Sequence, residues 1–288
     1  MGQMSQQQYA IQNNITFHGA GSMAEAIVRG LIARSVVLPS NIMMLNRSNT
    51  TRLEELQKLY QVRTSNDESA KVGILQSSSV IVLAMKPKDA AAALQQLGPL
   101  LTEDQLIVSV IAGLSINTMQ RLLGRNQPIA RTMPNTSSSI GLGATGISFS
   151  TEVTEDQQRI VTTLFEAVGT ITIIEEQNMD LLTGISGSGP AYIYYMMEAM
   201  IAAGVRGGLT PEQCTELTVQ TVLGAARMVQ QTGEAPGALR AKVTSPNGST
   251  QAAISVLDEG NFFEDVIAAV NRCSERSREM GAALEEEI

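Results

Sequence analysis

The chain has 288 residues, of which 43% are apolar and 17% charged, so it can fill one large or two medium hydrophobic cores. It carries 20 basic and 28 acidic residues, a net charge of -8, which opposes binding to nucleic acid and to anionic membrane surfaces. Its two cysteines, Cys214 and Cys273, and its single histidine, His18, indicate neither a disulfide framework nor a metal site. We therefore expect a soluble, cytoplasmic protein with no nucleic-acid, membrane or metal partner.

The first part of the chain predicts a parallel sheet. Residues 1–13 are rich in glutamine and lack the features of a signal peptide, so they predict a short disordered tail. Beyond them, β-branched segments alternate with helical patterns, and Thr154 with Gln157 forms a capping box before the last predicted strand. This alternation predicts an α/β domain with a Rossmann-type, doubly wound parallel sheet over residues 14–174. The predicted strands are residues 15–17, 42–45, 80–83, 107–110, 129–131 and 171–174.

The second part, residues 175–288, predicts an all-α domain. A helix over residues 190–205 is followed by Thr210, Pro211 and Gln213, which combine an N-cap, a first-turn proline and a capping box. Further helices are predicted over residues 250–258 and 263–284. These helices carry more apolar surface than a small domain can bury by itself, so we expect a homodimer.

A glycine-rich turn between the first strand and the first helix predicts a dinucleotide site. The helix start and the two glycines would bind a pyrophosphate, and the small residue at the end would let helix and strand pack. The alternative is a glycine turn without a ligand. The turn reads Gly19-Ala20-Gly21-Ser22-Met23-Ala24.

The residues after the second strand indicate which nicotinamide cofactor would bind. They are Asn46, Arg47 and Ser48, whereas enzymes that use NAD usually place a carboxylate there. Arg47 can pair with a 2′-phosphate, and Asn46 and Ser48 can form hydrogen bonds with it. We therefore expect NADPH, with NADH as the second choice; the alternative is that Arg47 is a solvated loop residue.

The supply of acid-base groups favours reduction of an imine. His18 lies beside the glycine turn, where we expect a structural role, and without a second histidine a histidine-based mechanism is nearly excluded. A protonated imine accepts hydride without a strong protein acid. The polar loop from Ser245 to Thr250 leads into a helix and predicts either a carboxylate site or a plain helix cap. The stretch from Ser186 to Pro190 is interpreted as a close-packed entry to a helix.

Several motifs in order carry a resemblance to a known family, and the last two together are typical of it. They are the glycine turn, Ala84-Met85-Lys86-Pro87, Ala112-Gly113, Met133-Pro134-Asn135-Thr136, Ser186-Gly187-Ser188-Gly189-Pro190-Ala191-Tyr192 and Val243-Thr244-Ser245-Pro246-Asn247-Gly248-Ser249-Thr250. With these motifs, the chain from Ile15 onward resembles pyrroline-5-carboxylate reductase. The resemblance implies reduction of 1-pyrroline-5-carboxylate to L-proline with NADPH, the last step of proline biosynthesis.

The resemblance also implies an assembly and a set of site residues. Residues 14–174 would bind NADP, and residues 175–288 would bind the substrate and interlock in a homodimer, sometimes within a ring of dimers. The active site would lie where the two domains meet. Thr250 would be catalytic through a hydrogen bond to the ring nitrogen. The implied cofactor residues are Gly19, Ala20, Gly21, Ser22, Met23, Ala24, Asn46, Arg47, Ser48, Asn66, Ala84, Lys86, Pro87, Ala112 and Gly113. The implied substrate residues are Glu176, Ser245, Gly248, Ser249 and Thr250.

Two departures from the family pattern leave alternatives open. Asn247 stands where the family usually has glycine, and Ser22 where asparagine or glutamine is more frequent. Asparagine tolerates a left-handed backbone better than most residues, so the loop can survive. The alternatives are a regulatory paralogue that binds NADPH without turnover, and a 3-hydroxyacid dehydrogenase of similar build.

Overall fold

The computed structural model describes residues 10–286, so residues 1–9 of the predicted tail lie outside the described residues. The rest of that tail is not separate from the fold. Ile11 is only 3% exposed, its N–H donates to the carbonyl of Val36 at 3.0 Å, and it forms a parallel bridge with Val37. The prediction that residues 1–13 are disordered is therefore wrong at Ile11, which packs into the core.

Within the described residues, eight strands form one sheet. They are β1 Ile15–His18, β2 Ile42–Leu45, β3 Arg63–Ser65, β4 Val80–Leu83, β5 Leu106–Ser109, β6 Ile129–Met133, β7 Gly143–Phe149 and β8 Gly169–Ile173. Twelve α-helices accompany them. They are α1 Ser22–Ala33, α2 Thr50–Tyr60, α3 Glu68–Gln76, α4 Pro87–Leu97, α5 Ile116–Leu123, α6 Glu155–Glu166, α7 Met179–Leu182, α8 Gly189–Arg206, α9 Pro211–Thr232, α10 Pro236–Lys242, α11 Ser249–Glu259 and α12 Phe262–Glu286.

The strand order is β3-β2-β1-β4-β5-β6-β7-β8, and it reverses direction between β1 and β4, as in a doubly wound fold. Neighbouring strands are parallel except β6 and β7, which are antiparallel. A short 3-10 turn, Thr136–Ile140, joins these two strands. A connection this short cannot make the crossover that a parallel pair needs. The predicted Rossmann-type sheet is confirmed with this one antiparallel pair.

The central strands are apolar throughout because both faces of the sheet are covered. Successive residues alternate between two buried clusters. Phe17, Val82 and Val108 belong to the cluster on one face, while Leu83 and Ile107 belong to the cluster on the other. The sheet therefore buries a core on each side.

The chain divides into two compact units. The nucleotide unit comprises the chain up to Gly187 together with the segment that begins at Cys273, and the helical unit comprises Ser188–Arg272. The predicted boundary at residues 174 and 175 lies upstream of the observed one. Helix α7 contributes Met179, which is 1% exposed, to the nucleotide unit.

The helical unit taken by itself buries very little. Among its described residues only Cys214 and Thr218 are buried, whereas Tyr195, Leu217 and Phe263 are 78%, 60% and 65% exposed. Its predicted capping box at Thr210 and Gln213 is present. Across the described residues, no helix combines the length and apolar character needed to cross a membrane.

Candidate functional site

A cavity of about 790 Å³ lies in the nucleotide unit, at the edge where the parallel strands β1 to β4 end. Ligands of doubly wound folds bind at this edge, beside the point where the strand order reverses. The cavity is lined by part of the predicted cofactor set, namely Gly19, Ala20, Gly21, Asn46, Arg47, Ser48, Asn66, Ala84 and Lys86. The remaining predicted cofactor residues do not line it. These are Ser22, Met23, Ala24, Pro87, Ala112 and Gly113.

The glycine turn has the backbone geometry that a dinucleotide requires. Gly19 has a φ of 118°, and a Cβ on it would lie 2.4 Å from the carbonyl oxygen of Ala84, so only glycine fits. A Cβ on Gly21 would meet nothing within 4 Å, so its absence leaves space for a ligand. Gly21 is also the N-cap of α1 and makes no side-chain cap. The first N–H groups of α1 can therefore bind a phosphate.

The turn after β2 is shaped by Asn46. Its Oδ1 accepts hydrogen bonds from the N–H groups of Ser48 at 3.1 Å and Asn49 at 3.0 Å. These bonds fix the turn and use only the amide oxygen, so the hydrogen bond to a phosphate, which the side-chain NH2 of Asn46 would donate, stays a prediction. Arg47 and Ser48 are exposed beside the cavity, and no carboxylate follows the strand. This combination suits a phosphorylated ribose.

A network that the sequence analysis missed holds the glycine turn in place. Nε of Arg52 donates to the carbonyl of Ala20 at 3.4 Å, and the same guanidinium pairs with Glu25. The hydroxyl of Tyr60 donates to Glu25 at 2.8 Å. Burial alone would raise the pKa of Glu25, but the hydrogen bonds from Arg52 and Tyr60 hold it below its usual value. The network joins α1 to α2, and no local sequence signal points to it.

His18 also lines the cavity, which the sequence analysis did not foresee. Burial, and next the positive charge of Lys71, lower the pKa of His18 to about 4, while Glu68 acts in the opposite direction. Its Nδ1 is buried and has no hydrogen-bond partner among residues 10–286. His18 is therefore neutral at physiological pH. Other lining residues that were missed are Ser65, Asp67, Glu68, Lys71, Lys88, Asp89 and Gln96.

The predicted substrate loop lies in the helical unit, between α10 and α11. The N–H of Gly248 donates to the carbonyl of Ser245 at 3.0 Å, which closes a turn with Asn247 at a φ of 59°. The left-handed conformation expected at Asn247 is therefore present. A Cβ on Gly248 would lie 2.5 Å from Oγ of Ser245, so a side chain at this position would displace that hydroxyl. Gly248 is the N-cap of α11 and makes no side-chain cap, which leaves the first N–H groups of α11, from Ser249 onward, for a carboxylate.

Glu176, predicted beside the substrate, makes its hydrogen bonds within the nucleotide unit. Its Oε1 accepts from the N–H of Ile116 at 2.7 Å and from Nη1 of Arg131 at 2.9 Å. Nη2 of Arg131 also lies 3.9 Å from Asp180. These contacts give Glu176 a structural role, and its position beside the substrate stays a prediction.

The stretch that begins at Ser186 is close-packed, as interpreted from the sequence. The amide of Asn135 donates to the carbonyl of Ser186 at 3.0 Å. A Cβ on Gly187 would lie 3.0 Å from the methyl group of Met133. Two of the motifs quoted in the sequence analysis, those that contain Met133 and Ser186, thus meet in one packing contact.

Comparisons with known proteins identify the family. Residues 176–280 match a family model described as pyrroline-5-carboxylate reductase dimerisation, and residues 14–113 match one described as NADP oxidoreductase, coenzyme F420-dependent. Pyrroline-5-carboxylate reductase 2 of Bacillus subtilis is 41% identical over 94% of this chain and 98% of its own length. The chain belongs to the pyrroline-5-carboxylate reductase family. The predicted family, enzyme class and NAD(P)H cofactor are thereby confirmed.

Solved structures agree with this assignment. A pyrroline-5-carboxylate reductase from Coxiella burnetii matches with a TM-score of 0.87 and 38% identity, covering 93% of this chain and 98% of that one. Pyrroline carboxylate reductase of Plasmodium falciparum, solved with NADP bound, matches with a TM-score of 0.84 and 28% identity, covering 95% and 100%. The match of residues 176–280 makes the helical segment a dimerisation domain, and its exposed apolar faces offer surface that a homodimer can bury.

Proposed function

We propose that this chain reduces 1-pyrroline-5-carboxylate to L-proline with NADPH bound in the cavity at the ends of β1 to β4. The reaction follows from family membership, and the assignment of its residues rests on one observation. The cavity combines the Gly19 and Gly21 turn with Arg47 and has no carboxylate after β2. This arrangement fits a dinucleotide that carries a 2′-phosphate.

The cofactor residues divide into two groups in this proposal. The glycine turn and the start of α1 bind the pyrophosphate, and Arg47 and Ser48 bind the 2′-phosphate, with Asn66 beside the ribose. Ala84, Lys86, Pro87, Ala112 and Gly113 lie beside the nicotinamide. The bound cofactor supplies the hydride, and these residues set its position.

On the substrate side, the loop before α11 binds the carboxylate. Ser245, Gly248 and Ser249 offer hydroxyl and backbone N–H groups at the start of a helix, where an anion is stabilised. The hydroxyl of Thr250 forms a hydrogen bond with the ring nitrogen and orients the imine carbon for hydride transfer. The left-handed turn accommodates Asn247, which removes the main argument for a non-catalytic NADPH sensor.

We further propose that the homodimer assembles into a ring of dimers and that the protein is cytoplasmic. The ring is supported by the extent of exposed apolar surface on the helical unit, with Tyr195, Leu217, Val256 and Phe263 all more than half exposed. The location is supported by the acidic net charge and low cysteine content. Sedimentation of the purified protein measures the number of chains in the assembly.

The activity is tested by mixing the protein with 1-pyrroline-5-carboxylate and following oxidation of NADPH, with NADH in parallel. We expect L-proline as product and a preference for NADPH of roughly 10- to 100-fold, since a hydrogen bond to a charged group contributes about 1.5–3 kcal/mol. Arg47→Ala should remove most of this preference, whereas Arg159→Ala, an exposed arginine on α6, should leave it unchanged. No NADPH oxidation would contradict the activity, and an unchanged preference in Arg47→Ala would contradict the role of Arg47.

A further inference from the structure

The turn that follows β5 contains Ala112 and Gly113 and leads directly into α5. Gly113 has a φ of 77°, in the left-handed region that favours glycine. In the function proposed above, this turn lies beside the nicotinamide. Its position therefore decides where the hydride donor sits, and small displacements there are costly to the rate.

The end of α12 packs directly on this turn. A Cβ on Gly281 would lie 2.6 Å from the carbonyl oxygen of Gly113, and a Cβ on Gly113 would lie 3.4 Å from the backbone nitrogen of Gly281. Two glycines thus face each other across the contact. The backbones of α12 and the turn touch with no side chain between them, so this contact transmits any displacement of α12.

A carboxylate of α12 also binds the start of α5. Oε1 of Glu285 lies 3.0 Å from Oγ of Ser115, the N-cap of α5, and accepts a hydrogen bond from the hydroxyl of Thr118. These hydrogen bonds, that of Thr118 first, hold the pKa of Glu285 below its usual value. A negative charge at the N-terminus of a helix is stabilised by the helix dipole.

A second connection runs through buried and half-buried polar groups. The hydroxyl of Ser277 donates to Asp180 at 2.6 Å. Asp180 lies 3.9 Å from Arg131, and Arg131 pairs with Glu176, which accepts the N–H of Ile116 in the first turn of α5. This series of contacts ends at the start of α5, which Glu285 also binds.

Ser277, Gly281 and Glu285 recur every four residues and therefore lie on one face of α12. We propose that this face of α12 positions the Ala112 and Gly113 turn for hydride transfer. The three residues are positioning residues, which act on the cofactor through the turn. The proposal rests on the proposed function for the place of the nicotinamide.

The test is Gly281→Ala, which inserts a methyl group against the carbonyl of Gly113. We expect kcat to fall about 10-fold or more and the fluorescence of bound NADPH to change. The affinity for 2′-phospho-ADP-ribose, which lacks the nicotinamide, should stay within about twofold of wild type, because the cavity that binds it is not disturbed. The matched control is Gly73→Ala in α3, where a Cβ meets nothing within 4 Å, and it should behave as wild type.

A second pair of variants covers the case in which Gly281→Ala does not fold. Glu285→Ala removes the acceptor for Ser115 and Thr118 and should lower kcat about threefold or more. Glu285→Gln keeps an acceptor oxygen and should restore most of the activity. An unchanged kcat in Glu285→Ala, or an equal loss of affinity for 2′-phospho-ADP-ribose and NADPH, would overturn the proposal.

Failure of the proposed function gives a different result. If wild type binds NADPH but does not oxidise it with the imine, the activity is wrong. The positioning role is then decided by the fluorescence of bound NADPH in Glu285→Ala and Glu285→Gln, which needs no turnover.

Discussion

The two units of this chain reach stability in different ways. The nucleotide unit buries the central strands of its sheet on both faces, with side chains such as Phe17, Ile81 and Val108 at 0% exposure. The helical unit has well-capped helices, such as α9 with its capping box at Thr210 and Gln213. By itself, however, this unit buries almost no apolar surface. Burial of apolar surface is the main favourable term in folding. The first unit is therefore complete within one chain, whereas the second is completed by a partner.

The largest effect expected from this difference concerns assembly. Leu223→Glu places a charge on an apolar side chain of α9 that is 45% exposed in the single chain. Burying that charge unpaired in the dimer should weaken association by about 100-fold or more, as measured by sedimentation velocity. The nucleotide unit should still bind 2′-phospho-ADP-ribose. Gln220→Glu adds the same charge at a polar position of α9, and similar sedimentation of the two variants would argue against a buried Leu223.

The next effect concerns the substrate loop of the helical unit. Thr250→Ala removes the hydroxyl assigned to the ring nitrogen and should lower kcat about 100-fold. The affinity for NADPH should not change, because its binding residues belong to the other unit. Thr250→Ser keeps the hydroxyl and should retain most of the activity. Unchanged turnover in Thr250→Ala would exclude this role.

A smaller effect is expected in the nucleotide unit at Arg52. Arg52→Ala removes the support of Ala20 and the ion pair with Glu25, so the pyrophosphate turn should loosen. We expect the dissociation constant for NADPH to rise about fivefold, with kcat nearly unchanged, as measured by fluorescence titration. Glu55→Gln changes only the exposed partner of Arg52, at 3.5 Å, and should have little effect. Equal affinities of Arg52→Ala and wild type for NADPH would show that the glycine turn keeps its conformation without Arg52.

The last effect is a pH dependence from His18, which concerns stability rather than binding or turnover. Its pKa in the folded chain is about 4, below the 6.5 of an unfolded chain, so the unfolded state binds the extra proton first. Stability should therefore fall as the pH drops from 6.5 to 4 and change no further through this group below 4. At pH 5 the loss is about 2 kcal/mol.

His18→Gln should lose less stability than wild type between pH 7 and pH 5, visible as a smaller drop in Tm of several degrees. His18 is the only histidine of the chain, and carboxylates titrate mainly at lower pH. The comparison is made at one protein concentration, because the dimer makes Tm depend on it. Parallel Tm curves for the two proteins would mean that His18 is solvated.

The sequence predicted those parts of the fold that have a periodic or local signal. The apolar strands β1, β2, β4, β5, β6 and β8 and the capping boxes were recognised. Strand β3 was missed because it is short and polar. Strand β7 was missed because Gly143 and Gly146 weaken its strand pattern. A Cβ on Gly146 would lie 2.3 Å from Cδ1 of Leu182, so a larger residue there would displace that side chain.

The site residues, too, could be predicted only where they have a local sequence signal. The glycine turn, the residues after β2 and the loop before α11 are contiguous motifs, so their residues could be named in advance. The network of Arg52 with Glu25, and the contacts of Glu285 with Ser115, join residues far apart in sequence. Such pairs leave no spacing or periodicity to read, and only the packed structure brings them together.

The discontinuity of the nucleotide unit has a consequence for synthesis of the protein on the ribosome. This unit includes the segment from Cys273 onward, which is translated after the whole helical unit. Domains generally fold as they emerge, from the N-terminus first. Here the sheet can form early, but the turn at Gly113 acquires its cover from α12 only after the whole helical unit has been translated. A ribosome that stalls within the helical unit would therefore hold a chain with a formed sheet and an uncovered Gly113 turn.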